Sequence, residues 1–494
     1  MRSSSPLLPF IWHSCSVLVI VLFSVFPLPA QNDFDGVRVY IRSQLLEHSI
    51  PSVSVAVAQH GKIIWEEGFG WADREQRIPA TANTMYSVAS ISKPITATGL
   101  MILVQGGKID LDRPINDYLG DAKIQARMGN PAGATVRRVA NHSSGLPSHG
   151  QFFFSDEPYQ TPSYDETIVR YGNLITMPGE RFKYSNLGYG ILGYVEARVS
   201  GESYEDFMRE TVFIKLGMTH TSVGIGPGLD QFQAIRYDEK GIPFPFFDFD
   251  HRGASAIYSS AHDLVRFGMF HLKDHLPDQC AILSDASIDE MHRPTMMQGP
   301  NRGYGIGWLS ADRSDGYRVI SHDGGMPGVS GKLMLVPSED LAVVVLSNAR
   351  VEMDRIADQI VKAVLPKWKV AEEEHDAPLP PFHPDTQLLG VWKGSLHTYQ
   401  KDLAVTIKVL PCGDVHVKLG EQPESLLNEV QFKDGWLSGQ ALGDVGTGDA
   451  SRRHANLLWL DVKLRGEVLN GGVTAGVDGS RPVALTQWLE VKKQ

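Results

Sequence analysis

Apolar residues recur at helical spacing from Asp35 to His48, with Val37, Tyr40, Ile41 and Leu45 on one side, and predict an amphipathic helix. The period then drops to two. Ser52 to Ala58 alternates, Gln59-His60-Gly61-Lys62 can turn, and Ile63-Ile64-Trp65 resumes, so a hairpin follows the helix. A second helix is read from Ser90 through Ile95, Leu100, Met101 and Leu103, stopped at Gly106-Gly107. Short helices and loops begin at Asp110 and include a segment, 136–147, closed by a Gly-Leu-Pro turn. Helical spacing returns at Leu187 to Val199, Tyr204 to Leu216 and Leu264 to Leu272, the last with Asp263 in its first turn. Four strand candidates come late, at 303–308, 317–322, 332–336 and 341–346. A helix at 353–365 then aligns Ile356, Ile360 and Val364. Strands from both ends of the chain, covered by the first and last helices and separated by a helical insertion, predict a mixed α/β (α+β) fold around one antiparallel sheet.

Beyond this the pattern changes. Residues 370–384 are charged and then proline-rich, as a semi-rigid linker is. From 385 to 494 the period is two, with Leu403 to Val409, Val415 to Leu419, Leu458 to Leu464 and Trp488 to Val491 as strands. That predicts a small all-β barrel or sandwich forming an independent domain, with a lipocalin-like opening at Leu389-Gly390-Val391-Trp392 and no catalytic cluster of its own. At the other end, Arg2 is the only charged residue before Asp33, Val17 to Phe26 is apolar, and Leu28-Pro29-Ala30 ends on a small residue. Residues 1–30 therefore read as a signal peptide cut after Ala30, with an uncleaved signal anchor as the alternative. The expectation is a secreted or periplasmic protein whose first domain spans 31–369.

The formal charge of −11 leaves no basic surplus for phosphates, which argues against a nucleic-acid partner, and there is no basic run for an anionic membrane. The three cysteines, Cys15, Cys280 and Cys412, form neither a disulfide framework nor a metal-ligand spacing. No metal or organic cofactor is expected.

The candidate chemistry begins at Ser90-Ile91-Ser92-Lys93, the only Ser-x-x-Lys in the chain. On a helix this spacing puts both side chains on one face. A serine hydroxyl needs a neighbour to take its proton, and an amine can do so only if burial lowers its pKa far below about 10.4. Two further motifs join it: Tyr184-Ser185-Asn186, ahead of the Leu187 helix, and His322-Asp323-Gly324-Gly325, at the end of a late strand.

The three motifs in this order resemble the signature of the serine β-lactamases and penicillin-binding proteins. From about Val37 to Leu365 the chain resembles the class C β-lactamase, D-aminopeptidase and family VIII esterase branch, including the passages His142-Ser143-Ser144-Gly145-Leu146, Pro178-Gly179-Glu180, Leu216-Gly217-Met218 and Tyr304-Gly305-Ile306-Gly307-Trp308. The resemblance implies a β-lactamase/transpeptidase-like fold and an acyl-enzyme on Ser90. By it, Lys93 and Tyr184 are the candidate bases, coupled so that the lysine cation lowers the tyrosine's pKa. Asn186 binds the acyl side and braces Lys93. The N–H groups of Ser90 and Gly325 form the oxyanion hole, and Gly324 and Gly325 let the substrate approach the strand edge.

One departure is His322, where penicillin-recognising members usually carry lysine. A neutral imidazole offers a substrate one hydrogen bond in place of a cation, which favours uncharged acyl donors over β-lactams. A buried hydrogen-bonding role is its alternative. The absence of a Gly-x-Ser-x-Gly elbow argues against an α/β-hydrolase. His271 and His275, at i and i+4, read as a solvated helix face and not a zinc site. The aromatic runs 152–154 and 244–249 read as packing under loops, with an acyl-pocket wall as the alternative. Together these readings predict an exported serine hydrolase acting on small esters or on D-amino-acid amides or peptides. β-Lactamase or DD-peptidase activity, or an idle binder of peptidoglycan fragments or of a partner protein, are the alternatives. Oligomeric state is left open.

Overall fold

The structure, a computed structural model, describes Met1 and residues 34–370, 379–477, 479 and 481–494. The expected signal segment, Met1 apart, and residues 371–378 of the expected linker lie outside the described residues.

The centre is a nine-stranded sheet of β1 (Ser52–Gln59), β2 (Lys62–Asp73), β3 (Ile78–Pro79), β4 (Met296–Gly299), β5 (Arg302–Tyr304), β6 (Leu309–Asp312), β7 (Arg318–Met326), β8 (Val329–Val336) and β9 (Leu341–Ser347). Their spatial order is β4-β5-β6-β7-β8-β9-β1-β2-β3. The closing pair, Val53↔Ser347 to Gln59↔Leu341, joins the two ends of the domain, as the early and late strands required. Its side chains show why. Val53, Val55 and Val57 pack with α1 (Asp35–Glu47) and the last helix, Met353–Val364, whereas Ala56 and Ala58 face the other layer. There the small residues admit a close helix: a Cβ on Gly268, within Ala261–Leu272, would lie 3.0 Å from the Ala342 methyl. Alternation of large and small residues on one strand thus fixes which face takes which layer.

The helical insertion holds α2 (Ser92–Gln105) and α3 (Asn186–Ser200). Some expectations are corrected. The helix read through 204–216 ends at Met208 and continues as a π turn, Arg209–Phe213. The strand read at 303–308 stops at Tyr304, because Gly305 lies against the Met291 carbonyl and Gly307 takes φ +83°. His271 is buried and bonded to Thr98 Oγ1 at 3.1 Å, while only His275 is exposed. Cys280 and Cys412 are both exposed and free.

Residues 390–493 form an antiparallel, nearly closed barrel-like sheet that includes β10 (Leu457–Arg465), β11 (Val468–Val477) and β12 (Val483–Lys493). One member comes from the first part of the chain: His149–Gly150 pairs with Leu485 and Ala484 of β12. Ion pairs also cross, from Arg170 to Asp449, from Glu157 to Arg453 and Arg481, and from Glu180 to Lys463 and Arg465.

Glu196 of α3 is fully buried, and neither carboxyl oxygen meets a hydrogen-bond partner among the described residues. Burial pushes its pKa well above the usual carboxylate value. A raised folded pKa means stability that is complete below the unfolded value and is lost as pH rises, at up to about 1.4 kcal/mol per pH unit. Glu196→Gln should therefore raise the melting temperature relative to wild type by an amount that grows from pH 5 to pH 8. A difference that stays constant with pH would show that Glu196 is already ionised.

Candidate active site

Ser90 sits in a 3₁₀ turn, Ala89–Ile91, and α2 begins at Ser92, so the helix starts two residues later than its spacing suggested. The turn is strained: Ala89 has φ +46°, a conformation costly for a side-chain residue. Lys93 follows on the first turn of α2 and is completely buried. Its Nζ lies 2.8 Å from Asn186 Oδ1, 3.1 Å from the Ala254 carbonyl and 3.0 Å from Ser90 Oγ. The Asn186 amide is oriented by its own Nδ2, which donates to the His149 carbonyl at 2.8 Å.

Burial pushes the Lys93 pKa well below its ordinary value, favouring the neutral amine. A neutral amine has two N–H groups and one lone pair. Asn186 Oδ1 and the Ala254 carbonyl can only accept, so they take both N–H groups and leave the lone pair for the Ser90 hydroxyl proton.

Tyr184 lies on the other side, interacting with Ser90, and the Lys93 nitrogen is 4.8 Å from its ring centre. Here an expectation is corrected. Burial raises the Tyr184 pKa, outweighing the opposite effect of Ser90, and the Asp323 carboxylate adds to the rise. Tyr184 is thus a neutral phenol beside Ser90. His142 packs 4.4 Å from its ring, and His142 Nδ1 accepts the Ser185 N–H at 3.1 Å. The His142-Ser143-Ser144-Gly145-Leu146 passage therefore shapes the loop that carries Tyr184.

His322 is also corrected. Its Nδ1 donates to the Asp323 carbonyl at 2.8 Å, which leaves Nε2 to accept from the Tyr304 hydroxyl at 2.8 Å. Burial pushes its pKa down to about 4. Both nitrogens are engaged, so the hydrogen bond expected toward a substrate is already made within the protein. Tyr304 was the missed partner, and its place in the Tyr304 to Trp308 passage was the available signal.

The two glycines differ. A Cβ on Gly324 would lie 2.3 Å from the Val88 carbonyl, so this glycine lets β7 approach the Ser90 turn. Gly325 is exposed, with only the Arg350 guanidinium 3.4 Å from such a Cβ. Beyond Ser321, β7 pairs with β8 alone, which leaves a sheet edge free beside Ser90.

Two cavities lie near these residues, and Ser90 lines the smaller. One of about 270 Å³ is lined by Ser90, Phe182, Tyr184, Arg302, His322 and Asp323. The other, of about 760 Å³, is lined by Asn186, Phe152, Phe244 and Gly325, and by Trp459 and Val483 of the C-terminal sheet. Phe152 and Phe244 thus reach the cavity, while Phe247 and Phe249 pack edge-on against Phe152. Beneath it, Asp250 joins His149 at 2.8 Å and His251 at 2.7 Å, the only grouping of metal-ligating types among the described residues. These contacts are hydrogen bonds to separate carboxylate oxygens, and they tie the His149 strand to the segment bearing Ala254.

A half-buried serine bonded to a buried lysine, a phenol and a free strand edge are the features of a serine hydrolase. The Beta-lactamase family model matches residues 37–365, and the chain belongs to that family. It is 27% identical over 319 residues to Penicillin-binding protein 4* of Bacillus subtilis, covering 60% of this chain and 67% of that one. It is 26% identical to Protein flp of Staphylococcus aureus, covering 63% of this chain and 62% of that protein, so it spans less than two thirds of the latter. Among solved structures, the octameric penicillin-binding protein homologue from Pyrococcus abyssi superposes with a TM-score of 0.60 at 22% identity, over 92% of this chain and all of that one.

Inactivation by a fluorophosphonate should rise with pH as Lys93 loses its proton and reach a plateau well below 10.5, the ordinary lysine value; a rise that continues up to that value would mean Lys93 rests as a cation. Gly324→Ala, which drives a methyl into Val88, should slow inactivation at least about 100-fold, whereas Gly325→Ala should change it only several-fold. Equal losses would place both glycines in the same role.

Proposed function

We propose that this chain is an exported serine hydrolase that forms an acyl-enzyme on Ser90 from small, uncharged esters or D-amino-acid amides. The observation that carries this reading is the donor accounting at Lys93, which leaves its lone pair to Ser90 alone. In the first step Ser90 Oγ bonds to the acyl carbon and its proton passes to Lys93. The oxyanion forms beside the Ser90 turn and the Gly325 edge. As the carbon–leaving-group bond breaks, the leaving alcohol or amine takes the Tyr184 phenolic proton, and the proton held by Lys93 restores the phenol. Water then repeats the sequence in reverse roles to release the acid.

Support for neutral substrates comes from the charges around both cavities. His322 is neutral and engaged, and the ionic residues that line each space come in opposite signs: Arg302 with Asp323 in the smaller, Arg350 and Lys240 with Asp238 and Glu239 in the larger. A carboxylate-bearing substrate, such as a β-lactam or a DD-peptide, is the second reading, and Arg350 beside Gly325 is what favours it. Export rests on the apolar leader ending at Ala30.

The test is a screen of the mature protein against p-nitrophenyl esters, D-amino-acid amides and a chromogenic cephalosporin. We expect ester or amide turnover above cephalosporin turnover at pH 7.5, and a fluorophosphonate adduct of one equivalent on the Ser90 peptide that disappears in Ser90→Ala. A label that persists in Ser90→Ala refutes the nucleophile. Faster cephalosporin turnover, lost in Arg350→Ala, would establish the second reading.

A further inference from the structure

Strand β10 turns two different faces to its surroundings. Leu458, Leu460 and Val462 point into the C-terminal core, while Trp459, Asp461, Lys463 and Arg465 lie half-buried on the opposite face, in a row set by the two-residue period. All four meet the catalytic part of the chain. Trp459 lines the larger cavity. Asp461 accepts from Lys183 Nζ at 2.6 Å and from Arg181, whose guanidinium lies 3.5 Å over the Trp436 ring. Lys463 and Arg465 reach Glu180 at 2.8 and 2.6 Å. Residues 180–183 are the approach to Tyr184.

A second arm holds the same loop from β12. Thr486 Oγ1 donates to the Ser148 carbonyl at 2.9 Å, and Ser148 Oγ donates to the Tyr184 carbonyl at 2.8 Å. The neighbouring pair, Leu485 with His149, fixes the carbonyl that orients Asn186. Tyr184 is thus held at its own carbonyl by Ser148, whose carbonyl is held in turn by Thr486, and at the preceding residue by the bond of the Lys183 ammonium to Asp461, 278 positions away in sequence.

We infer that the C-terminal sheet is part of the acylation machinery, with Asp461 a positioning residue that holds Tyr184 against Ser90 through Lys183. The inference rests on the Ser90 acyl-enzyme reading. Lys183 is bonded covalently to Tyr184 and its own N–H is held by the His142 carbonyl at 2.7 Å, so release of its ammonium removes the tie of this segment to the C-terminal sheet and lets the phenol shift within the bonds that remain. Proton transfer needs heavy atoms within about 2.6–3.2 Å, and a displacement of about 1 Å can cost a hundredfold in rate.

The experiment uses the full chain and measures fluorophosphonate inactivation, separated into the maximal rate kinact and the half-saturating concentration KI. Asp461→Asn should lower kinact by about 10- to 100-fold with KI within about twofold, and Asp461→Glu should restore part of the loss. In a Tyr184→Phe background, Asp461→Asn should cost nothing further, because its effect passes through the phenol. Asp449→Asn, which breaks a different contact between the two parts, should leave kinact unchanged. An unchanged kinact in Asp461→Asn, or a full additional loss in the Tyr184→Phe background, overturns the inference. A readout independent of labelling is the ¹⁹F resonance of fluorotyrosine at Tyr184, assigned by its loss in Tyr184→Phe. It should shift or broaden in Asp461→Asn and not in Asp449→Asn, and an unmoved resonance refutes the positioning role. Should Asp461→Asn not fold, Thr486→Val tests the second arm by the same resonance. Absence of any label on wild-type Ser90 would instead overturn the acyl-enzyme reading and leave the resonance result to stand for itself.

Discussion

The buried amine of Lys93 is the constraint on which the rest of this site depends. An ammonium in that position would need three acceptors and would pay a desolvation cost of several kcal/mol that no carboxylate offsets, since its three neighbours are an amide oxygen, a backbone carbonyl and a hydroxyl. The neutral amine matches its surroundings with no group left over. Burial acts on Tyr184 in the same sense, raising its pKa, so one desolvation effect favours the uncharged form of both groups.

Holding that amine takes structure from every part of the domain. Lys93 comes from the start of α2, Asn186 from the start of α3, and the Ala254 carbonyl from the short helix Arg252–Ser255. The strained turn at Ala89 and the contact of Gly324 with Val88 press the serine against β7. A sheet whose closing strands come from both ends of the domain provides the rigid wall that such strain requires.

How much of this the sequence disclosed follows from what kind of information each contact carries. Ser90 and Lys93 were legible as a Ser-x-x-Lys on one helix face, and Tyr184 and Asn186 only because their motif joins it and the His322 motif in an order that resembles a known family. The carbonyls of Ala254 and His149 were not, since any residue supplies a backbone oxygen. The Tyr304–His322 bond joins residues brought together only by the pairing of β5, β6 and β7, and local periodicity is silent on such partners. Long helices with one apolar face, such as Asp35–Glu47 and Met353–Val364, were read to within a residue or two. The strand read at 303–308 failed because Gly305 and Gly307 serve close backbone approaches, a use of glycine that resembles strand punctuation in a sequence. The alternation along β10 was legible as a strand, but not the partner of its polar face.

That polar face bears on how the two parts of the chain relate. A domain tethered only by a proline-rich linker retains freedom to reorient, and contacts across such a junction are then incidental. Here one catalytic-part strand is built into the C-terminal sheet, and charged side chains cross the junction at three separate places. Isolated surface ion pairs contribute little, commonly 0–1 kcal/mol. Their significance is geometric: Asp461, Lys463 and Arg465 sit on alternate residues of one strand, so satisfying any one of them fixes the register of the others on residues 180–183. Trp459, next along the same face, is thereby placed in the wall of the cavity that opens at Asn186. The strand that carries the partners of residues 180–183 therefore also supplies part of that cavity's wall, so the loop before Tyr184 and the wall at Trp459 share one rigid edge.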